Sequence, residues 1–263
     1  DIHDFLPRFC AGRYPGREKE MLGLWKSFLP AIECGYWNFH QFYGESFAHL
    51  NSAGPDTVSF KRASAMKLEA DRLRPCVKSC GPALGKLAET DLSGVMVRRD
   101  AIDLARTAAA RLFQYLYNTL PGYVLEKKDC SDAIELMRGL LFAMTDVLAA
   151  SPEFSLNHSL ADLRKAGHVN PIFEHTLKCN AENGYCRSFI YELCEACYKP
   201  EFEAFVKFLE KGVRDEAEIK RIQDAFYADP LEKYRPDCVK ASAALPKAFA
   251  RLAELAEKVE AYS

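Results

Sequence analysis

At 263 residues, with 49% hydrophobic and 27% charged content, the chain is long enough to bury roughly 75% of its unfolded surface and needs no cysteine staples to build a core. A formal net charge of -2 excludes any general attraction to nucleic acid or anionic membrane. The longest apolar stretch, 139–150, is short and interrupted by Thr145 and Asp146, so no transmembrane helix is expected.

The chain opens on Asp1, and its first residues lack the apolar core of a signal peptide, which reads as a mature or trimmed form. Further on, Ile32, Tyr36, Phe39, Tyr43, Phe47 and Leu50 recur at steps of three or four and predict a helix. Trp37, Phe39, Phe42, Tyr43 and Phe47 make more than one of its faces apolar. Such a helix is central in a bundle or lines a ligand cavity, and Trp25, Tyr36, Trp37, Phe42 and Tyr43 are the candidate contacts for a small hydrophobic ligand. His40, Glu45 and His49 suggest a metal site, but at 100° per residue His40 lies about 180° from His49. Glu33 and His40 share a different face, and neither pair is repeated on a second helix as a di-iron bundle requires. A solvated polar face, or a histidine satisfied in the core, is the simpler reading.

Residues 51–55, Asn-Ser-Ala-Gly-Pro, break this helix, and Asp56 is placed to cap the next, whose stripe is Phe60, Ala63, Met66, Ala70 and Leu73. Arg72, Arg74 and Lys78, and the pair Arg98 and Arg99, are clusters too small to argue nucleic-acid binding. Residues 81–86, Gly-Pro-Ala-Leu-Gly-Lys, depart from a phosphate loop. Three residues separate the glycines where four are needed, and Leu87 stands where Ser or Thr would hold magnesium, so a turn between helices is expected. Ile102, Ala105, Ala109, Leu112 and Leu116 mark the next helix, expected to end at Pro121 and Gly122. Asp129 or Ser131 then caps a helix carrying Ile134, Met137, Leu141, Met144 and Leu148.

Over 151–185 the periodicity weakens among Ser-Pro, Asn-Pro and Asn-Gly pairs, and an irregular excursion with one short helix is expected. Three stripes follow: Phe202, Phe205, Val206 and Leu209; Ile219, Ile222 and Phe226; and Leu245, Phe249, Leu252, Ala256 and Val259. The alanine- and glutamate-rich end reads as an exposed amphipathic helix. Strand-like alternation is missing, as are a dinucleotide-binding glycine fingerprint and a nucleophile elbow. The expected fold is all-α: one bundle of about seven or eight helices with an irregular insertion, stabilised by disulfides. Residues 1–263 form a single helical domain in this reading. The alternative division is a helical bundle over 1–150, the excursion over 151–185 and C-terminal helices over 186–263.

Ten cysteines decide the compartment: Cys10, Cys34, Cys76, Cys80, Cys130, Cys179, Cys186, Cys194, Cys197 and Cys238. Their even count and high frequency favour pairing in an oxidising compartment, which makes all ten disulfide candidates. A metal or iron–sulfur site at Cys179, Cys186, Cys194 and Cys197 is the second reading, though C-x6-C-x7-C-x2-C matches no zinc-finger or ferredoxin spacing. Reduced, buried thiols in a cytoplasmic protein are the third. Redox catalysis by Cys194 and Cys197 lacks the preceding strand that a thioredoxin-type motif has. Asn157-His158-Ser159 is a glycosylation sequon and fits the secreted reading.

The functional expectation is a non-catalytic, secreted or cell-surface helical binding protein: a receptor ectodomain, a surface antigen or a carrier of a hydrophobic ligand. It is expected to need no cofactor or metal and to partner a protein or small hydrophobic ligand, not nucleic acid. The alternative is an intracellular, cytoplasmic helical enzyme or metalloprotein that uses the 179–197 cysteine cluster.

Overall fold

The computed structural model describes residues 1–34, 60–182, 189–211 and 215–262, apart from the side chains of 60–63 and 65. Among the described residues the chain is all-helical and strand-free, with ten α-helices. They are α1 (Ile2–Arg13), α2 (Glu18–Glu33), α3 (Phe60–Glu89), α4 (Val95–Leu125), α5 (Ser131–Leu148), α6 (Leu156–Lys165), α7 (Ile172–Glu182), α8, α9 (Glu216–Ala228) and α10 (Cys238–Tyr262). Helix α8 runs without a break through Tyr191–Leu193, a π-helical turn over Cys194–Tyr198, and Lys199–Lys211. Short 3-10 turns at Pro152–Phe154 and Leu231–Tyr234 complete the set. No helix of the described residues is long and apolar enough to cross a membrane.

Helices α3, α4, α5 and α10 form a four-helix bundle in which α4 packs on α3 and α5, and α10 closes the ring against the same two. Their expected stripes face inward: Ile102, Ala105, Ala109, Leu112 and Leu116 of α4 are buried with Met137, Leu141, Met144 and Leu148 of α5. Leu245, Phe249, Leu252, Ala256 and Val259 of α10 meet them from the far side. Each such Leu, Met or Phe contributes about 1.5–3 kcal/mol by leaving water, which lets the bundle tolerate irregular helices. Helix α2 packs on α3, and α1 packs on α2.

The structure corrects several sequence expectations. Residues 81–86 lie inside α3 and form no turn. Gly81 sits against α10, where a Cβ would stand 3.4 Å from Glu257 Cγ, so the glycine serves helix approach. Likewise α4 does not stop at Pro121 and Gly122 but continues to Leu125. Proline removes one backbone donor, yet Pro121 is buried within the packed bundle, and tertiary contact outweighs that loss. The true stop is Lys127 in the left-handed region (φ 54), with Lys128 N–H donating to the Tyr123 carbonyl and Lys127 N–H to Val124. Before α5, Asp129 Oδ1 accepts from both the amide and the hydroxyl of Ser131.

Stretch 151–185 is more regular than expected: among its described residues it holds α6 and α7, where one short helix was predicted. Gly167 (φ 90) ends α6 by the same left-handed closure. The expected aromatic helix beyond Cys34, its break at 51–55 and Asp56 lie outside the described residues, as do His40, Glu45 and His49.

Candidate functional site: a groove between α5 and α10

Helices α5 and α10 approach each other at Gly139, where a Cβ would stand 2.9 Å from Leu255 Cδ2, so any side chain there makes Leu255 shift. From there Ala143, Asp146 and Ala149 of α5, and Arg251, Ala248, Lys247, Ala244, Ala241 and Lys240 of α10, run in opposite chain directions along one groove of about 550 Å³. Alanines form its floor. Tyr191, at the start of α8, and Asp237, which caps α10 by accepting from Lys240 N–H at 3.0 Å, close its end. The volume lies within the range of ordinary ligand sites.

Charge is distributed unevenly across the groove. Asp146 is exposed at the α5 lip, and its carboxyl is pushed up from its ordinary value by partial burial and by Glu195, against the opposing pull of Lys199. Lys199 is itself paired with Glu195 and lies 4.5 Å from the centre of the Phe142 ring. Burial, with Glu195, Glu192 and Asp146 nearby, also pushes the Tyr191 hydroxyl up. On the α10 wall, no carboxylate among the described residues lies within ion-pairing distance of Lys240, Lys247 or Arg251, in contrast to the paired Lys199. At 100° per residue these three positions fall within about 40° of one another, so they form one straight row roughly 16 Å long beside the alanine floor.

Beneath the far end of the groove, Glu192 is fully buried and accepts four hydrogen bonds. Donors are Ser155 Oγ at 2.6 Å, the Leu156 amide at 2.8 Å, and the Asn157 amide and Nδ2, both at 2.9 Å. The carboxylate thus caps α6 from a distant part of the chain. Asn157 Nδ2 also donates to the Leu231 carbonyl at 2.8 Å, and the residue is 5% exposed. The sequon nitrogen thus has both hydrogens engaged inside the folded protein, which lends the glycosylation expectation no support.

Of the hydrophobic-ligand candidates only Trp25 is described; Tyr36, Trp37, Phe42 and Tyr43 lie outside the described residues. Trp25 is half-buried and belongs to a polar anchor that docks α1 and α2 on α4. Its Nε1–H donates to Tyr14 Oη at 2.9 Å, and Tyr14 and Arg13 both donate to Asp100. A shallow depression of about 620 Å³ lined by Phe5, Arg8, Phe9, Gly12, Arg13 and Met96 lies beside it.

The cysteine expectations change most. No disulfide joins any two of Cys10, Cys34, Cys76, Cys80, Cys130, Cys179, Cys194, Cys197 and Cys238, so disulfide stapling is not seen among the described residues; Cys186 lies outside them. Cys194 and Cys197 are buried in the π-helical turn, whereas Cys179 is half-buried on α7 and contacts His175 Nε2 at 3.4 Å. No group of three or more His, Cys, Asp or Glu among the described residues is arranged to hold a metal ion.

Sequence reasoning passed over the groove. Asp146 registered only as an interruption of an apolar run, and the cationic row only as the polar face of an exposed helix. The signal was present in the i, i+7, i+11 spacing of Lys240, Lys247 and Arg251.

Fold and groove together define an all-helical protein with a charged, alanine-floored surface trough. Searches against protein-family models, curated proteins and solved structures each return no match.

Proposed function

We propose that residues 1–263 act as one helical, non-catalytic binding domain, and that the α5–α10 groove takes an amphipathic helix with an acidic flank from a protein partner. The observation that carries this reading is the straight row of Lys240, Lys247 and Arg251 beside a floor of small side chains. Alanines let a partner backbone come close, as in helix-in-groove recognition, and a row spanning three helical turns matches acidic residues at the same spacing. The secreted or cell-surface setting came from the cysteine count and the sequon. No disulfide joins the nine described cysteines and Asn157 is buried, so the reading rests on the groove and not on the compartment. The metalloprotein alternative likewise gains no ligand set among the described residues.

The test uses a fluorescent synthetic amphipathic helix with glutamates at i, i+7 and i+11, titrated by anisotropy. Binding is expected to weaken about tenfold or more, some 1.4 kcal/mol, in the Lys240→Glu, Lys247→Glu, Arg251→Glu variant and to fall with salt. Equal binding by a lysine counterpart, or indifference to the triple change, overturns the reading.

A further inference from the structure

Cys179 and His175 stand one turn apart on α7, and at 100° per residue they lie about 40° from each other on one face. Cys179 Sγ and His175 Nε2 are 3.4 Å apart, within hydrogen-bonding reach for sulfur. A second element holds the ring: Tyr227 of α9 packs on the imidazole with ring centres 5.6 Å apart, and its hydroxyl donates to Glu182 Oε2 at 2.9 Å. Tyr227 is itself anchored through its carbonyl, which accepts from the buried Lys178 Nζ at 3.4 Å. A nucleophile, a base and a group that orients the base therefore meet where solvent reaches them, since Cys179 is half-buried and His175 exposed.

The other half-buried thiols have different surroundings. Cys34 Sγ donates to the Ala31 carbonyl at 3.3 Å, and Cys130 Sγ to the Lys128 carbonyl at 3.6 Å. A main-chain carbonyl leaves the proton on sulfur, whereas a ring nitrogen can take it. Hydrogen bonding to Cys76 and burial push Cys34 up, burial and Asp129 push Cys130 up, and burial, Glu192 and Asp237 push Cys238 up. Cys10, Cys76, Cys80, Cys194 and Cys197 are buried.

We infer that Cys179 is a covalent modification site for soft electrophiles of the α,β-unsaturated carbonyl class, with His175 as the base that frees the thiolate. In the tautomer that carries its hydrogen on Nδ1, His175 takes the Sγ proton on Nε2. The thiolate lone pair forms a bond to the β-carbon, the carbon–carbon π pair shifts to give an enolate, and the proton on Nε2 passes to the α-carbon. One thiol adds across one double bond, nothing leaves, and no oxidant or reductant is consumed. A thiolate and one proton are what conjugate addition uses and what this pair supplies.

The experiment exposes the whole chain to a trace of N-ethylmaleimide, an uncharged conjugate acceptor, and locates the adducts over time by fragment-ion mass spectrometry. A free thiol is already a few per cent ionised at neutral pH, so Cys179 is expected to label about tenfold faster than Cys34, Cys130 and Cys238. His175→Ala should bring Cys179 down to their rate, and added imidazole should restore part of the difference, a rescue that a structural role for His175 would not allow. Circular dichroism confirms that the variant is folded. Labelling of Cys130 or Cys238 as fast as Cys179 overturns the proposal, as does a Cys179 rate that His175→Ala leaves unchanged or that imidazole fails to rescue.

Discussion

The four-helix bundle and the excursion between α5 and α10 share one apolar core, but the excursion adds a set of buried polar ties that the bundle's helix contacts do not use. The bundle is closed by aliphatic and aromatic side chains such as Leu112, Phe113, Leu141 and Phe249, all fully buried. The excursion of α6–α9 adds aromatics such as Phe202, Phe205 and Phe226 to the same core, and is tied further by buried polar groups. Glu192 gathers four donors from Ser155, Leu156 and Asn157, while Lys178, 3% exposed, reaches the carbonyls of Tyr227 and Asp229 and the carboxylate of Glu174. Apolar packing is non-directional and spread over many residues, whereas a buried carboxylate network depends on every member and is costly when half-satisfied. The bundle should therefore lose stability in increments and the excursion in one step.

The largest expected effect tests the first half of that contrast. Phe249→Ala should cost about 3–5 kcal/mol in urea unfolding and lower hydrogen-exchange protection throughout the chain. Protection retained in the bundle would show that α10 is not part of one cooperative core. Glu192→Ala strands buried donors and should cost about 2–4 kcal/mol, with exchange rising in α6–α9 while α3 and α4 stay protected. Uniform loss across both regions would erase the distinction drawn here.

The smallest effect concerns Asp146, whose carboxyl titrates above its ordinary value because burial and Glu195 disfavour its charge. A carboxyl raised in the folded state stabilises the fold when protonated, and that contribution is lost as pH climbs through the raised value. Asp146→Asn should therefore match the parent at acid pH and melt slightly higher at neutral pH. Solvent exposure keeps the difference small. A variant that melts lower at neutral pH would mean that attraction to Lys199 outweighs both.

The same contrast explains what the sequence could reveal. Bundle helices were legible because apolar periodicity and burial are the same physics seen twice: Leu245, Phe249, Leu252, Ala256 and Val259 face the core as their spacing demands. Helix stops were less legible than helix stripes. Gly167, which the spacing did not single out, ends α6; α4 ends on a lysine; and Gly81 and Gly122, expected at turns, sit inside helices. In the excursion, Glu192 caps a helix some 35 residues earlier in the chain, a pairing that no local pattern encodes. The groove was hidden for a related reason, since its two walls come from helices separated by the entire excursion. One of those walls, the row of Lys240, Lys247 and Arg251, could be found by asking which charges share a line on α10.

Gly139 acts as a spacer gauge for that groove. It sits one turn before Ala143, outside the trough, and sets the gap between the two walls through its contact with Leu255. A side chain added there must displace the end of Leu255, either by turning it or by moving the two helices apart. If the groove binds as proposed, its width is then set partly from a position outside its lining.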